Sequence, residues 1–251
     1  MQKAEALKDF FKTHPKAAIA FSGGTDSAYL LAAAVRSGAD IRPYYIKTAF
    51  QPQFELEDAL RLTKELGVKP EIITADILNE ADVALNRADR CYRCKRFLFS
   101  LLKERAVKDG YHLILDGTNA SDDADDRPGM KALRELNIQS PLRLCGITKD
   151  EVRILSKREG LFTWNKSAYA CLATRVPCGT IIKAETLALV ERAETELAKL
   201  GFSDFRIRIR GDAALLQVPE AQMEKVLQKK EDIRALLANG FSSVMLDLKA
   251  R

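Results

Sequence analysis

The chain has 251 residues, 47% of them hydrophobic, with 40 lysines and arginines against 35 aspartates and glutamates. That length holds one large α/β domain or a medium domain plus a small one, and a formal charge of +5 fits an anionic small molecule as well as it fits RNA. Apolar stretches such as Leu30–Val35 are too short to span a bilayer, and two histidines, His14 and His112, are poorly placed for histidine-based nucleophilic catalysis.

The opening MQKAEALKDFF reads as an amphipathic helix and lacks the apolar core of a signal peptide, so a cytoplasmic location and no membrane contact are expected. Ala17–Phe21 (AAIAF) reads as a buried strand, followed by a glycine turn and a helix to about Ser37. Ile41–Lys47 is a second strand, Phe54–Gly67 a helix closed by its glycine, and Glu71–Thr74 a third strand. Lys95–Lys108 is helical and His112–Asp116 is a fourth strand. Strands alternating with helices imply crossover connections and a parallel sheet, hence an α/β fold. After residue 180 the pattern changes: a helix at Glu185–Leu200, strands at Phe205–Arg210 and Ala213–Val218 joined at Gly211-Asp212, a helix at Glu220–Ala238 and a strand at Val244–Leu248. This reads as a small α+β domain over 184–251, set off from a first domain over 1–165 by a cysteine-bearing linker, 166–183.

Ser22-Gly23-Gly24-Thr25-Asp26-Ser27 stands between the first strand and the helix after it, at the carboxyl edge where an open parallel sheet binds ligands. Adjacent glycines admit a phosphate close to the backbone, and the helix start offers free amides and a positive dipole end. Ser22, Thr25 and Ser27 add hydroxyls, and Asp26 can hold a Mg²⁺ bridging the phosphates. No lysine follows the glycines, so this is not the GxxxxGK[ST] loop. The string resembles the PP-loop of the ATP pyrophosphatase superfamily, which implies ATP as the bound nucleotide and its cleavage to AMP and pyrophosphate.

Asp116-Gly117-Thr118-Asn119 leaves the fourth strand on the same rim, and aspartates at 122, 123, 125 and 126 continue it. Charges of this density do not pack into an apolar core; the loop is either solvated or faces a nucleotide and its metal, and its position favours the second.

Cys91-Tyr92-Arg93-Cys94 is a CxxC among Arg90, Arg93, Lys95 and Arg96, cations that stabilise thiolates. Cys171 precedes Arg175 by four residues. A CxxC can be a zinc half-site, a redox pair or an iron–sulfur ligand pair. Three cysteines suit a [4Fe–4S] cluster with one open iron, four (with Cys145 or Cys178) suit zinc, and Cys171 alone suits a nucleophile. For Cys145 and Cys178 themselves, burial as small apolar residues is the preferred reading.

SGGTDS, RCYRCK, DGTNASDDADDRPG, SPLR and CLATRVPCG, in that order across about residues 15–220, resemble the LarE family of ATP-dependent sulfur transferases, which make the nickel-pincer nucleotide cofactor of lactate racemase. The resemblance implies a Rossmann-like parallel sheet of the adenine nucleotide α-hydrolase type. It also implies that ATP adenylates a carboxylate of a pyridinium dicarboxylate mononucleotide and that a sulfur donor then displaces AMP. In some members a cysteine matching Cys171 gives up its own sulfur and becomes dehydroalanine. In others, cysteines matching Cys91, Cys94 and Cys171 hold a [4Fe–4S] cluster that delivers sulfide; the presence of all three here favours that route. Arg206, Arg208 and Arg210 alternate onto one strand face, where Arg206 and Arg208 can take the substrate phosphate. Gln217 stands where relatives often carry a glutamate, which puts any metal site there in doubt and leaves Glu191 and Glu194 as candidates. Relatives assemble into rings, so a homo-oligomer is expected. Two other readings compete: a tRNA-thiolating enzyme, disfavoured because no extra RNA-binding module is visible, and a non-catalytic ATP or AMP sensor.

Overall fold

The computed structural model describes residues 2–122 and 128–251; Asp123, Asp125 and Asp126 of the acidic loop lie outside them. In chain order the described elements are α1 (Gln2–Thr13), β1 (Lys16–Ala20), α2 (Thr25–Arg36), β2 (Asp40–Lys47), α3 (Gln53–Glu65), β3 (Glu71–Thr74), α4 (Ala81–Ala84), α5 (Arg90–Lys108), β4 (Ile114–Leu115), α6 (Pro128–Glu135), α7 (Pro141–Leu144) and α8 (Lys149–Arg158). They continue with α9 (Ala184–Lys199), β5 (Arg206–Arg210), β6 (Ala213–Gln217), α10 (Met223–Gln228), α11 (Lys230–Leu237) and β7 (Val244–Leu246). The chain divides into two compact units, one of Met1–Thr48, Gln53–Ala75 and Asp89–Lys166, the other of Ala49–Pro52, Asp76–Ala88 and Ser167–Arg251. The cysteine-bearing stretch after Lys166 is therefore part of the second unit, together with two short segments from early in the chain.

In the first unit a four-stranded sheet runs in the order β3-β2-β1-β4, with every pairing parallel. Gln139 extends it through a parallel bridge to Leu115. Because side chains alternate along a strand, Ala17, Ile19 and Phe21 enter one core with α1, α2 and α8, while Ala18 enters the other with α5 and α6. A strand buried on both faces has no use for polar residues, which is why AAIAF reads as an unbroken apolar run. The chain leaves β1 toward β2 on one side, while β4 adds on the other. The carboxyl ends of β1 and β4 therefore flank the topological switch point, where open sheets hold ligands.

α5 begins at Arg90 rather than near Lys95. No glycine or proline interrupts Ala88–Lys108, so the helix extends back through the CxxC and places Cys91 and Cys94 one turn apart on its first turns. In the second unit β5 pairs antiparallel with β6, and β6 parallel with β7. Gly211 makes the expected tight turn with φ of 63°, a conformation glycine adopts without strain. The single helix expected over 220–238 is instead a short 3₁₀ turn, α10 and α11, broken at Lys229, whose φ and ψ of −100° and 15° leave the helical range. Ile207, Ala214 and Leu216 pack against Ala193 and Leu197 of α9 and against Phe202, Phe205 and Phe241.

The start of α8 is fixed by a capping box: the Thr148 hydroxyl accepts from the Glu151 amide while Glu151 accepts from the Thr148 amide. Glu151 also takes the ammonium of Lys3 from α1 at 2.8 Å. The Lys3 bond, then the Thr148 amide, pull the Glu151 carboxyl down from 4.5 to about 2. A carboxyl lowered in the folded state contributes stability present above about pH 4.5 and lost as the pH falls toward 2. Fluorescence or amide exchange followed from pH 6 to 2 should show α1 loosening across that window, and Glu151→Gln should flatten the response. An unchanged profile in that variant would assign the window to other carboxylates.

Candidate active site

The loop between β1 and α2 is tied up by its own side chains. The Ser22 and Ser27 hydroxyls lie 3.0 Å apart, the Gly24 amide donates to Ser22 Oγ at 3.3 Å, and Ser27 Oγ donates to the Gly24 carbonyl at 3.1 Å. Thr25 turns away and donates to the Thr163 carbonyl at 2.9 Å in a buried position. Gly24 is the N-cap of α2, and the amides of Thr25, Asp26 and Ser27 belong to the first turn, which lacks intrahelical acceptors. Gly23 requires its residue type: φ is 73°, and a Cβ there would stand 3.0 Å from the Glu55 carbonyl oxygen of α3.

The segment after β4 meets this loop. A Cβ on Gly117 would fall 2.8 Å from the Ser27 amide nitrogen, so the two backbones touch with no room for a side chain. Asp116 is nearly buried and is held by the hydroxyls of Thr118 and Ser140, each at 2.5 Å. Asn119 donates to Asp26 Oδ1 at 3.3 Å, and its own side-chain oxygen accepts from the Ser121 amide at 2.8 Å. Asp122 Oδ2 accepts from the Asn119 amide at 3.1 Å. Ser22, Gly23, Gly24, Thr25, Asp26, Ser27, Asp116, Gly117, Thr118 and Asn119 are thus gathered at one place on the sheet's rim.

Two lysines and a serine that the sequence did not single out join them. Lys149, the first residue of α8, has its ammonium 2.5 Å from Asp26 Oδ2. Lys166 pairs with Asp58 at 2.7 Å and donates to the Gly23 carbonyl at 3.3 Å. Ser140 carries the hydrogen bond to Asp116; its SPLR string was visible, its partner was not.

Cys91 and Cys94 lie in the first unit, at the start of α5; Cys91 is exposed and Cys94 half-buried, and an Arg90 guanidinium nitrogen lies 3.6 Å from Cys91 Sγ. Cys171 lies in the second unit, half-buried and at the N-cap of a 3₁₀ turn over Leu172–Arg175. Cys145 packs partly buried against the core, and burial raises its thiol pKa. Cys178 is exposed, contrary to the expectation of burial: it sits between Pro177 and Gly179 in a surface turn. Among the described residues no group of three or more histidine, cysteine, aspartate or glutamate side chains is gathered to hold a metal ion.

Around Cys171 the second unit builds a charged interior. Arg175 is 1% exposed and clamps Glu194 with both forks of its guanidinium, at 2.8 and 2.9 Å. Its remaining nitrogen donates to the Ala170 carbonyl and to Thr174 Oγ1, each at 2.9 Å. Glu194 also accepts from the Tyr169 hydroxyl at 2.6 Å and the Ile207 amide at 2.9 Å. Burial, then the Glu194 charge, push the Tyr169 phenol far above its ordinary value. Arg206 is buried and spends its guanidinium on the carbonyls of Phe205 and Ala168; burial, then Arg175, push it down to about 10. Arg208 is half-buried and donates to the Thr174 carbonyl at 2.7 Å and to Gln217 Oε1 at 2.5 Å, while Gln217 donates on to Asp247 at 2.6 Å. The residue at 217 therefore works as a relay between a cation and a carboxylate, both neighbours suited to an amide.

Two substitutions test these contacts. Gly117→Ala inserts a methyl where the backbones touch, and urea melts should show a loss of about 1–3 kcal/mol together with weakened ATP binding. Glu194→Ala leaves a buried guanidinium uncompensated and should cost about 3–5 kcal/mol, whereas Glu194→Gln keeps two acceptor contacts and should cost less; equal losses would show that charge rather than shape holds this interior.

No family model matches the chain. An uncharacterised protein of Synechocystis sp. is 35% identical over 98% of this chain and 94% of its own length. The pyridinium-3,5-bisthiocarboxylic acid mononucleotide synthase of Lactiplantibacillus plantarum is 33% identical over 97% of this chain and 88% of its own length. Similarity to the tRNA-specific 2-thiouridylase MnmA of Thermotoga petrophila is weaker, at 25% over 70% of this chain and 62% of that protein. Full-length similarity to a sulfur-inserting synthase, on a parallel sheet with the phosphate loop at its switch point, decides the family. The chain belongs to the LarE family of ATP-dependent sulfurtransferases, within the PP-loop ATP pyrophosphatases.

Proposed function

We propose that this enzyme adenylates a carboxylate of a pyridinium dicarboxylate mononucleotide and then replaces the activated oxygen with sulfur. The observation that carries the reading is the meeting of the Ser22–Ser27 loop and the Asp116 loop at the β1/β4 switch point. That meeting leaves first-turn amides, hydroxyls and the Asp26 carboxylate on one rim. Such a rim suits ATP: amides and the helix dipole face the phosphates, and a single carboxylate with phosphate oxygens and water is the usual company of Mg²⁺. In the first stage a substrate carboxylate oxygen attacks the α-phosphorus, the bond to the bridging oxygen breaks, and pyrophosphate leaves. In the second a sulfur nucleophile attacks the acyl carbon and AMP departs. Adenylation removes the negative charge that would repel an anionic sulfur.

For the sulfur, Cys91, Cys94 and Cys171 are the residues that would hold a [4Fe–4S] cluster, and three thiolates leave one iron open to carry a transferable sulfide. Two of the three donors suit that group: Cys91 and Cys94 stand one helical turn apart on α5. A second reading has Cys171 surrender its own sulfur, and the buried Arg175, which fixes the carbonyl of Ala170 immediately before it, favours this. In either case Arg175 acts on Cys171 by positioning and by charge. On the strand face, Arg208, half-buried, is the residue proposed to take the substrate phosphate; Arg206, expected to share that role, is buried with its guanidinium spent on the carbonyls of Phe205 and Ala168.

Pyrophosphate release tests the first stage. It should rise well above background only with a pyridinium carboxylate mononucleotide present, and Asp26→Asn should suppress it; no rise would point to a nucleotide sensor, and stimulation by tRNA instead would point to thiolation of RNA. Protein purified without oxygen should be brown and carry about four irons per chain if the cluster route operates. Colourless protein that loses about 34 Da at Cys171 on turnover (one H₂S) would mark the sacrificial route.

A further inference from the structure

Gln217 stands opposite Arg206 in the register of β5 and β6, yet its side chain reaches diagonally to Arg208. Arg208 Nε donates to Gln217 Oε1 at 2.5 Å and Nη1 to the Thr174 carbonyl at 2.7 Å, while Nη2 has no partner among the described residues. We propose that Gln217 is the positioning residue of the substrate-phosphate site. It fixes Arg208 through an uncharged oxygen and so reserves the positive charge and the free Nη2 edge for a phosphate monoester.

The charge on this face is unbalanced. Arg175 is matched by Glu194, but among the described residues neither Arg206 nor Arg208 forms a salt bridge: the acceptors of both are neutral oxygens. Burial, then the charges of Arg175 and Arg210, hold the Arg208 guanidinium below its ordinary value, as befits a cation among cations. Such a half-buried group gains from an incoming anion, and a guanidinium matches phosphate oxygens in geometry as well as charge. The amide at 217 is locked in one orientation. Gln217 Nε2 donates to Asp247 Oδ2 at 2.6 Å, and Asp247 Oδ1 accepts the Lys249 amide at 3.0 Å. A guanidinium only donates and a carboxylate only accepts, so the amide oxygen must face Arg208 and the amide nitrogen Asp247. The carboxylate is thereby kept one side chain away from the arginine. A glutamate at 217 would reverse this: it would pair with Arg208, cancel the charge offered to a ligand, and face Asp247 as a like charge.

The inference rests on Arg208 taking the substrate phosphate, and the test separates the two. Pyrophosphate release by the full chain is measured while a pyridinium dicarboxylate mononucleotide and ATP are varied in turn. Gln217→Glu should raise KM for the mononucleotide on the order of 10- to 100-fold, as loss of a charge-assisted contact does. KM for ATP and kcat should stay within about twofold, the pattern of a lost binding contact. Combining Gln217→Glu with Asp247→Asn removes the like-charge contact but keeps the new pair with Arg208. The combined variant should regain wild-type stability in urea melts and still show the raised KM. An unchanged KM in Gln217→Glu, or a KM that recovers together with stability in the combined variant, would overturn the assignment. Arg208→Met separates the outcomes. If it leaves KM for the mononucleotide unchanged, the phosphate reading falls and this one with it; if it raises KM while Gln217→Glu does not, only this one falls. A wild-type chain that released no pyrophosphate with the mononucleotide would overturn both.

Discussion

The approach of Gly117 to the amide of Ser27 is the contact on which the first unit's chemistry depends. Two segments separated by about ninety residues of sequence are held backbone to backbone, and the absence of a side chain at 117 is what allows it. From that contact follow the placement of Asn119 on Asp26, of Asp116 under the hydroxyls of Thr118 and Ser140, and of Ser121 against the first residue of α8. Each of these bonds is modest by itself, about 1 kcal/mol net. Together they remove the freedom that a glycine-rich turn would otherwise keep, and a preorganised set of donors is what a developing phosphate charge requires.

The second unit solves a different problem. Burying Arg175 and Glu194 costs several kcal/mol per ion before any attraction is counted. The arrangement offsets this with a two-pronged pair and with further bonds from Tyr169 and the Ile207 amide to the carboxylate, and from Arg175 to Ala170 and Thr174. A hydrophobic pair of similar size would stabilise the unit at least as well. Such a pair could not set a fixed positive group four residues from a cysteine, nor fix the carbonyl immediately before it.

Much of the first unit was legible in the sequence because its signals are local. A strand of small apolar residues, two glycines, hydroxyls and a helix are contiguous at 17–36, and DGTN follows directly on the fourth strand. What escaped was whatever arrives from a distance. Lys149 lies 123 residues from Asp26, and Lys166 lies 143 from Gly23; neither stands in a motif whose chemistry announces a phosphate. The arginines of β5 were correctly placed on one face, but alternation says nothing of depth, and burial falls steadily from Arg206 to Arg210. Glu194 was read only as a candidate metal ligand beside Glu191, because one carboxylate in an amphipathic helix carries no mark of the guanidinium that will bury it. The start of α5 was placed late because the cysteines and tyrosine of RCYRCK have weak helix preference, whereas packing of Leu98, Leu102 and Ala106 carries the helix back through them.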